Sequence, residues 1–300
     1  MSDHGRMISV MKRHSQDLNP INDSWLLPEG VEEVLPADAS QIEALRRQLI
    51  DVFHSWGYDL VMPPLVEYLE SLLSGTGADV ELKTFTLIDQ LTGRMMGVRA
   101  DMTPQVARID AHSLRRNEPT RLCYIGSVLH TLPSGLSAQR SPIQVGAELY
   151  GHSGVESEVE IISLMMACLK LAGFPSVHVD VGHLGVYRAL VQEAALTPDK
   201  EEVLFDAMQR KSKFDVTTLL DNARIPSHLA EMITALVDLN GDADVLLEAR
   251  DCLHRASDIV HQCLERLTEI AKLVALRASG ARVHFDLAEL RGYRYEQGVV

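Results

Sequence analysis

Hydrophobic positions along this chain switch between helical spacing and strict alternation, and the switches divide it into elements. From Ser40 onward Ile42, Leu45, Leu49, Val52, Phe53 and Trp56 recur at helical intervals. Ser40 and Glu43 have capping-box spacing, and Gly57 ends the run. Tyr58–Met62 predicts a strand that runs into Pro63-Pro64 and continues through Leu65-Val66-Glu67. Adjacent prolines cannot donate to a ladder, so this segment belongs at a sheet edge or an interface. Thr84–Asp89 and Arg94–Arg99 predict a hairpin about Gln90–Gly93, with a helix after it from Pro104 to about Arg115. Leu122–Leu129 and Ile143–Tyr150 flank a polar loop carrying Pro133, Ser134, Gly135 and Pro142, which predicts a long antiparallel hairpin. Val155–Leu171 reads as a helix closed by Gly173, and Val177, Val179 and Val181 alternate with His178 and Asp180 as a strand.

From about His183 the texture becomes helical. Leu190–Ala195, Glu201–Lys211, Val216–Asn222, Ser227–Leu239 and Ala243–Leu276 all have helical patterns joined by Pro or Gly breaks, before Val283, Phe285 and Leu287 alternate again. Four parts are expected: a polar, mobile segment 1–24, a core 25–182, a helical insertion 183–276 and a return of the core sheet over 277–300. The sequence ends inside a strand-type pattern, as a chain cut short of its natural C-terminus would. The fold class this order implies is α+β, with an antiparallel sheet flanked by helices rather than a regularly alternating parallel sheet.

Composition narrows the function classes. The chain has 300 residues, 46% hydrophobic and 23% charged, and 28 Lys and Arg against 42 Asp and Glu give a net charge of −14. A surface that negative repels phosphate backbones at long range, which argues against nucleic acid. No apolar run has the length of a membrane span and the N-terminus lacks a signal-peptide core, so a cytoplasmic protein is expected. Cys123, Cys168, Cys252 and Cys263 are far apart, so neither a disulfide framework nor a zinc knuckle is readable, and no cofactor or metal is called for. Gly75-Thr-Gly-Ala reads as a flexible turn rather than a phosphate loop, having no Lys or helix signature after it.

Two places offer chemistry. In the second strand of the long hairpin Gln144 and Glu148 project to one face with small Gly146 between them, a floor able to grip a small polar cation. A solvated sheet face would have the same pattern. Asp101 and Thr103 stand at the start of the helix that begins near Pro104, where either serves as N-cap or as a site residue.

These segments together resemble a class II aminoacyl-tRNA synthetase catalytic domain, closest to histidyl-tRNA synthetase, over roughly Trp25 to Val300. Met62-Pro63-Pro64-Leu65-Val66-Glu67 resembles its first motif and Leu122–Gly151 its second. Val98-Arg-Ala-Asp-Met-Thr resembles its Arg-Pro-Glu-Gly-Thr segment, and Leu290-Arg-Gly-Tyr-Arg-Tyr its histidine-specific element. The resemblance implies a histidine pocket made by Asp101, Thr103, Gln144, Glu148, Arg291 and Tyr295. In it Asp101 and Glu148 would accept from the ammonium and imidazole N–H groups, Gln144 would orient the ligand, Tyr295 would line the pocket and Arg291 would face the carboxylate.

The departures are as informative. His130 stands where the synthetase has the Arg that clamps the ATP α-phosphate, Leu132 where it has an acid, and Arg294 and Glu296 where it has Asp and Tyr. A neutral imidazole has no bidentate fork for a developing phosphate charge. This combination, with Val-Leu-His-Thr and Gly-Ala-Glu-Leu-Tyr-Gly-His-Ser-Gly, resembles the regulatory subunits of ATP phosphoribosyltransferase, synthetase paralogues that pair with a short catalytic subunit. The resemblance implies a non-catalytic chain that dimerises through its first motif and assembles with that subunit as a hetero-octamer. It further implies activation of the partner and feedback inhibition by free histidine. A histidyl-tRNA synthetase-like amino-acid-activating enzyme is the alternative.

Overall fold

The first helix of the described residues starts earlier than its capping-box spacing suggests. Residues 25–74, 78–133, 139–174, 176–277, 282–291 and 298–300 are described by the structure, a computed structural model. Segment 1–24, the glycine turn at 75–77 and residues 292–297 lie outside them. Helix α1 runs Pro36–Ser55 with Leu35 at its N-cap and Pro at its first turn. Proline's fixed φ suits that position, so the helix begins a turn before Ser40. Ser40 instead back-bonds from Oγ to the Pro36 carbonyl (2.8 Å), and Glu43 pairs with Arg46 and Arg47. The capping-box reading is therefore corrected. Leu49 and Phe53 of α1 are buried with Tyr58, Cys123 and Leu164.

Three small sheets follow. Strands β1 (Asp59–Leu60), β2 (Val66–Tyr68), β3 (Phe85–Ile88) and β4 (Met95–Val98) are interrupted by helices α2 (Leu69–Leu72) and α3 (Ala78–Lys83). The β3–β4 hairpin is antiparallel and β2 adds to its β4 edge. Helix α4 (Thr103–Arg108) continues as a π-helical turn, Ile109–Leu114, and stops where Arg115 adopts a left-handed φ of 49°. Strands β5 (Thr120–Ser127) and β6 (Ile143–Tyr150) form the long hairpin, antiparallel over all eight residues. Two pairings are parallel: β1 lies along β5, and β7 (His178–Val181) lies along β9 (Arg282–Asp286). Among the described residues the three sheets are thus antiparallel except at those two places.

Helix α5 (Val155–Leu171) matches its sequence pattern residue for residue and crosses behind the hairpin, with Gly173 at φ 91° just beyond its end. After β7 come α6 (Leu184–Ala194), α7 (Pro198–Gln209), α8 (Lys213–Asn222), α9 (Ser227–Ala235), β8 (Asn240–Gly241), α10 (Val245–Cys252) and α11 (Asp258–Arg277). The expected single helix over Ala243–Leu276 is two helices, broken at Leu253–Ser257. Short β8, absent from the sequence reading, pairs with β9. One apolar cluster runs from Val159 of α5 through Val181 and Phe285 of the sheet into Leu190, Leu204, Ile233 and Leu267 of the helices. Gly298 and Val300 hydrogen-bond to the backbone of Leu184 and Gly182, closing the end of the described chain onto β7.

Candidate functional site

The face of the β5–β6 hairpin carries the site. The register sets Gln144, Gly146 and Glu148 opposite Gly126, Tyr124 and Leu122, and directly opposed residues share a face. Helix α4 packs against this face through Met102 and Val106, which are buried with Leu122, Tyr124 and Val128. The start of α4 is therefore held above the alternating Gln144 and Glu148. Four of the six expected residues come together there.

Asp101 Oδ1 accepts from Gln144 Nε2 at 2.7 Å and from the Thr103 backbone N–H at 2.9 Å. Gln144 Oε1 accepts the Met102 N–H at 2.9 Å. The amide of Gln144 is thus tied at both ends, which fixes its orientation, and it holds the turn carrying Asp101 in place. Both bonds to Asp101 fall on Oδ1. Among the described residues Oδ2 has no partner and remains an acceptor for a ligand. Neither Asp101 nor Thr103 is the N-cap of α4, which is Met102 with no side-chain cap bond; Asp101 tethers the first turn through the Thr103 N–H and meets the hairpin through Gln144.

Tyr124 joins the two halves and was missed in the sequence. Its hydroxyl lies 3.0 Å from Glu148 Oε1 and 2.9 Å from Thr103 Oγ1. A carboxylate only accepts, so the phenol proton points to Glu148 and the Thr103 hydroxyl donates to the phenol oxygen. Burial pushes the Tyr124 phenol above its ordinary range, and Glu148 adds to the shift, so it stays a neutral donor. Gly146 exists to admit this ring, since a Cβ there would sit 2.3 Å from the tyrosine Cζ and Oη. A tyrosine opposite a strand glycine was the available signal, but reading it requires the register.

Cations near the site are committed elsewhere. Arg99 is buried and donates to the Ser127 carbonyl at 2.9 Å and the Pro63 carbonyl at 2.6 Å. Burial lowers its pKa from the ordinary value. A Cβ at Gly126 would lie 2.6 Å from its guanidinium, so that glycine makes room for it. Arg291 projects into solvent, its side chain 86% exposed, 3.4 Å from Glu289. The structure does not bring it to the other four. Tyr295, like Arg294 and Glu296, lies outside the described residues.

His130 sits just past the end of β5, bridged to Thr84, with Nε2 2.9 Å from the Ala100 carbonyl. A carbonyl accepts, so Nε2 carries a proton and donates it to the main chain, while Nδ1 is buried and without a hydrogen-bond partner among the described residues. Arg140 donates to the His130 and Glu29 carbonyls, both at 3.0 Å, and fastens the mouth of the hairpin.

A cleft of about 470 Å³ reaches Glu148 from the side of α5, lined among others by Ala147, His152, Glu158 and Arg266. Arg266 grips Glu158 at 2.9 Å and the Ser153 carbonyl at 2.8 Å. Burial nevertheless raises the Glu158 carboxyl above its ordinary value, with Arg266 opposing. Chemically, the site offers two carboxylates, a relayed phenol and no uncommitted guanidinium among the described residues. The described residues suit a small cationic, hydrogen-bond-donating group and among them there is no grip for polyphosphate.

Known proteins align with this picture. A family model described as histidyl-tRNA synthetase matches residues 30–300. The chain is 56% identical over 279 residues to an ATP phosphoribosyltransferase regulatory subunit of Alkalilimnicola ehrlichii, covering 93% of this chain and 70% of that protein. It is also 56% identical over 281 residues to a regulatory subunit from Nitrosococcus oceani, covering 94% and 70%. Among solved structures, an ATP phosphoribosyltransferase regulatory subunit/histidyl-tRNA synthetase from Bacillus halodurans superposes with a TM-score of 0.81 at 26% identity, covering 92% of this chain and 71% of that one. An ATP phosphoribosyltransferase complex from Thermotoga maritima shares the fold, with a TM-score of 0.64 at 17% identity over 89% and 86% of the two chains.

Proposed function

The chain belongs to the family of ATP phosphoribosyltransferase regulatory subunits, which are built on the histidyl-tRNA synthetase fold, and from that premise we propose how it works. It acts without chemistry of its own in the first step of histidine biosynthesis. It activates a short catalytic subunit and transmits inhibition by free histidine, in the cytoplasm. Histidine occupies the hairpin face, its ammonium and imidazole N–H groups shared between Asp101 and Glu148, with Thr103 and Gln144 at its border. Arg291 and Tyr295 are the remaining residues of the proposed pocket. Charge-assisted bonds to two carboxylates supply the affinity.

One observation carries this reading. Asp101 and Glu148 are brought to one face of the hairpin, while at the position matching the synthetase's ATP clamp His130 Nε2 donates to the Ala100 carbonyl. Histidine regulates by binding one quaternary state better than another, a coupling of about 1–3 kcal/mol on the usual scale. Self-association through the first motif, and a hetero-octamer with the catalytic subunit, are part of the same proposal. The exposed Leu35 at the start of α1 and Met62 and Leu65 of that motif support a covered surface there.

The test is co-purification with the short catalytic subunit, followed by phosphoribosyl-transfer assays with and without this chain. The expected result is a stable complex whose activity exceeds that of the catalytic subunit alone. Pyrophosphate exchange on the purified chain with histidine and ATP separates the alternative, and no exchange is expected. A robust exchange rate would assign the chain to the amino-acid-activating enzymes instead.

A further inference from the structure

We propose that His178, Asp180 and His284 form a binding site for a divalent late transition metal ion, zinc being the natural occupant, that clips β7 to β9. Strand β7 carries His178 and Asp180 two residues apart, hence on one face, and the parallel register places His284 of β9 directly beside Asp180. One ligand atom from each residue lies within 4.8 Å of the other two. Asp180 Oδ1 is 3.1 Å from His284 Nδ1 and 3.5 Å from His178 Nε2. A tetrahedral zinc ion with bonds of about 2.0–2.1 Å needs ligand atoms about 3.4 Å apart. Two of the three edges already have that length. A small rotation of the exposed His178 ring closes the third, the two rings being 5.3 Å apart at their centroids.

The present contacts leave a group unsatisfied. His284 Nδ1 is shut off from water and forms no hydrogen bond, its approach to Asp180 being misaligned for one. Buried polar atoms are ordinarily paired, and a metal ion in front of this lone pair would satisfy it. The side chains of His178 and Asp180 are 58% and 50% exposed, so the outer side of the site is open to a water as fourth ligand. Two imidazoles and one carboxylate select zinc, cobalt or nickel over calcium or magnesium, which require oxygen ligands.

The location gives the site a purpose. Strand β7 leads into α6, and β9 is the strand on which the chain returns after α11. An ion held by both strands therefore ties together the two roots of the helical insertion, closing a loop of more than a hundred residues in the native state. Because binding requires the folded arrangement, the ion stabilises it.

The experiment uses the full chain after chelator treatment and dialysis. Cobalt chloride is titrated in while visible absorption is followed, and zinc chloride is titrated in a calorimeter. One ion per chain is expected, with cobalt bands of low coordination number and a melting temperature raised by zinc. His178→Ala and His284→Ala should each weaken binding at least about tenfold, the scale on which even an outer-sphere partner weakens a metal site. His112→Ala, at an exposed histidine elsewhere, should leave it unchanged. His178→Ala removes an exposed side chain, so it stays folded, as circular dichroism will verify, and keeps the test decisive should His284→Ala misfold. Absence of stoichiometric binding, or binding that survives His178→Ala, overturns the proposal.

Discussion

At the scale of single residues, the site is organised by a tyrosine whose role depends on its neighbour across the hairpin. Tyr124 is 3% exposed and its hydroxyl links Thr103 to Glu148. Tyr124→Phe keeps the ring over Gly146 but removes the donor to a half-buried carboxylate. We expect a stability loss of about 1–2 kcal/mol, read from urea unfolding, together with weaker histidine binding by calorimetry. Unchanged histidine affinity would remove the phenol from the pocket's machinery. The alternation of Gln144, Gly146 and Glu148 was legible because period 2 is local. Tyr124 was not, because its partnership depends on which residues face each other across a loop of about fifteen residues. Gln144 illustrates a subtler limit. Its face was readable, but that both amide ends are engaged with Asp101 and Met102 follows only from where α4 docks.

At the scale of elements, caps and breaks decided which boundaries could be read. Helix α5 was legible to the residue because an apolar stripe and a terminal glycine agreed. Helix α1 was misplaced by a turn because two N-terminal signals competed and Pro36 prevailed over Ser40. The helical tract after Ala243 hid its break, since Ser257 and Asp258 restart α11 without any glycine or proline to mark the spot. Helix α6 has a cap no propensity suggests: His183 Nδ1 accepts the Gly185 N–H at 3.0 Å. Burial, the main cause, with Arg266 adding to it, depresses the His183 pKa from 6.5 to about 4. The unfolded chain therefore takes the proton first as pH falls. The resulting stability is fully present above about pH 6.5 and is lost progressively toward pH 4, an amount of about 3 kcal/mol. His183→Asn retains a capping acceptor without titrating. Its unfolding free energy should be flatter than wild type's over that window, and parallel curves would show that His183 does not carry the acid sensitivity.

At the scale of the whole molecule, the chain has the histidyl-tRNA synthetase fold, and the proposal is that its amino-acid side is kept and its nucleotide side altered. The class of fold was legible because several separated segments occur in the right order, each weak alone. The single apolar cluster joining α5, β7 and β9 to the inserted helices was not, since helical periodicity shows that a face is buried but not against what. The same holds for His178, Asp180 and His284, which only the parallel pairing of β7 with β9 brings together. A net charge of −14 repels phosphate backbones at long range. Among the described residues no helix is long and apolar enough to cross a membrane. The most direct test of the account measures the activity of the reconstituted complex against histidine concentration, with the wild-type chain and with Glu148→Ala. The account predicts an assembly that forms and activates equally well in both cases, with histidine inhibition present in the first and abolished in the second. Identical inhibition curves would contradict it.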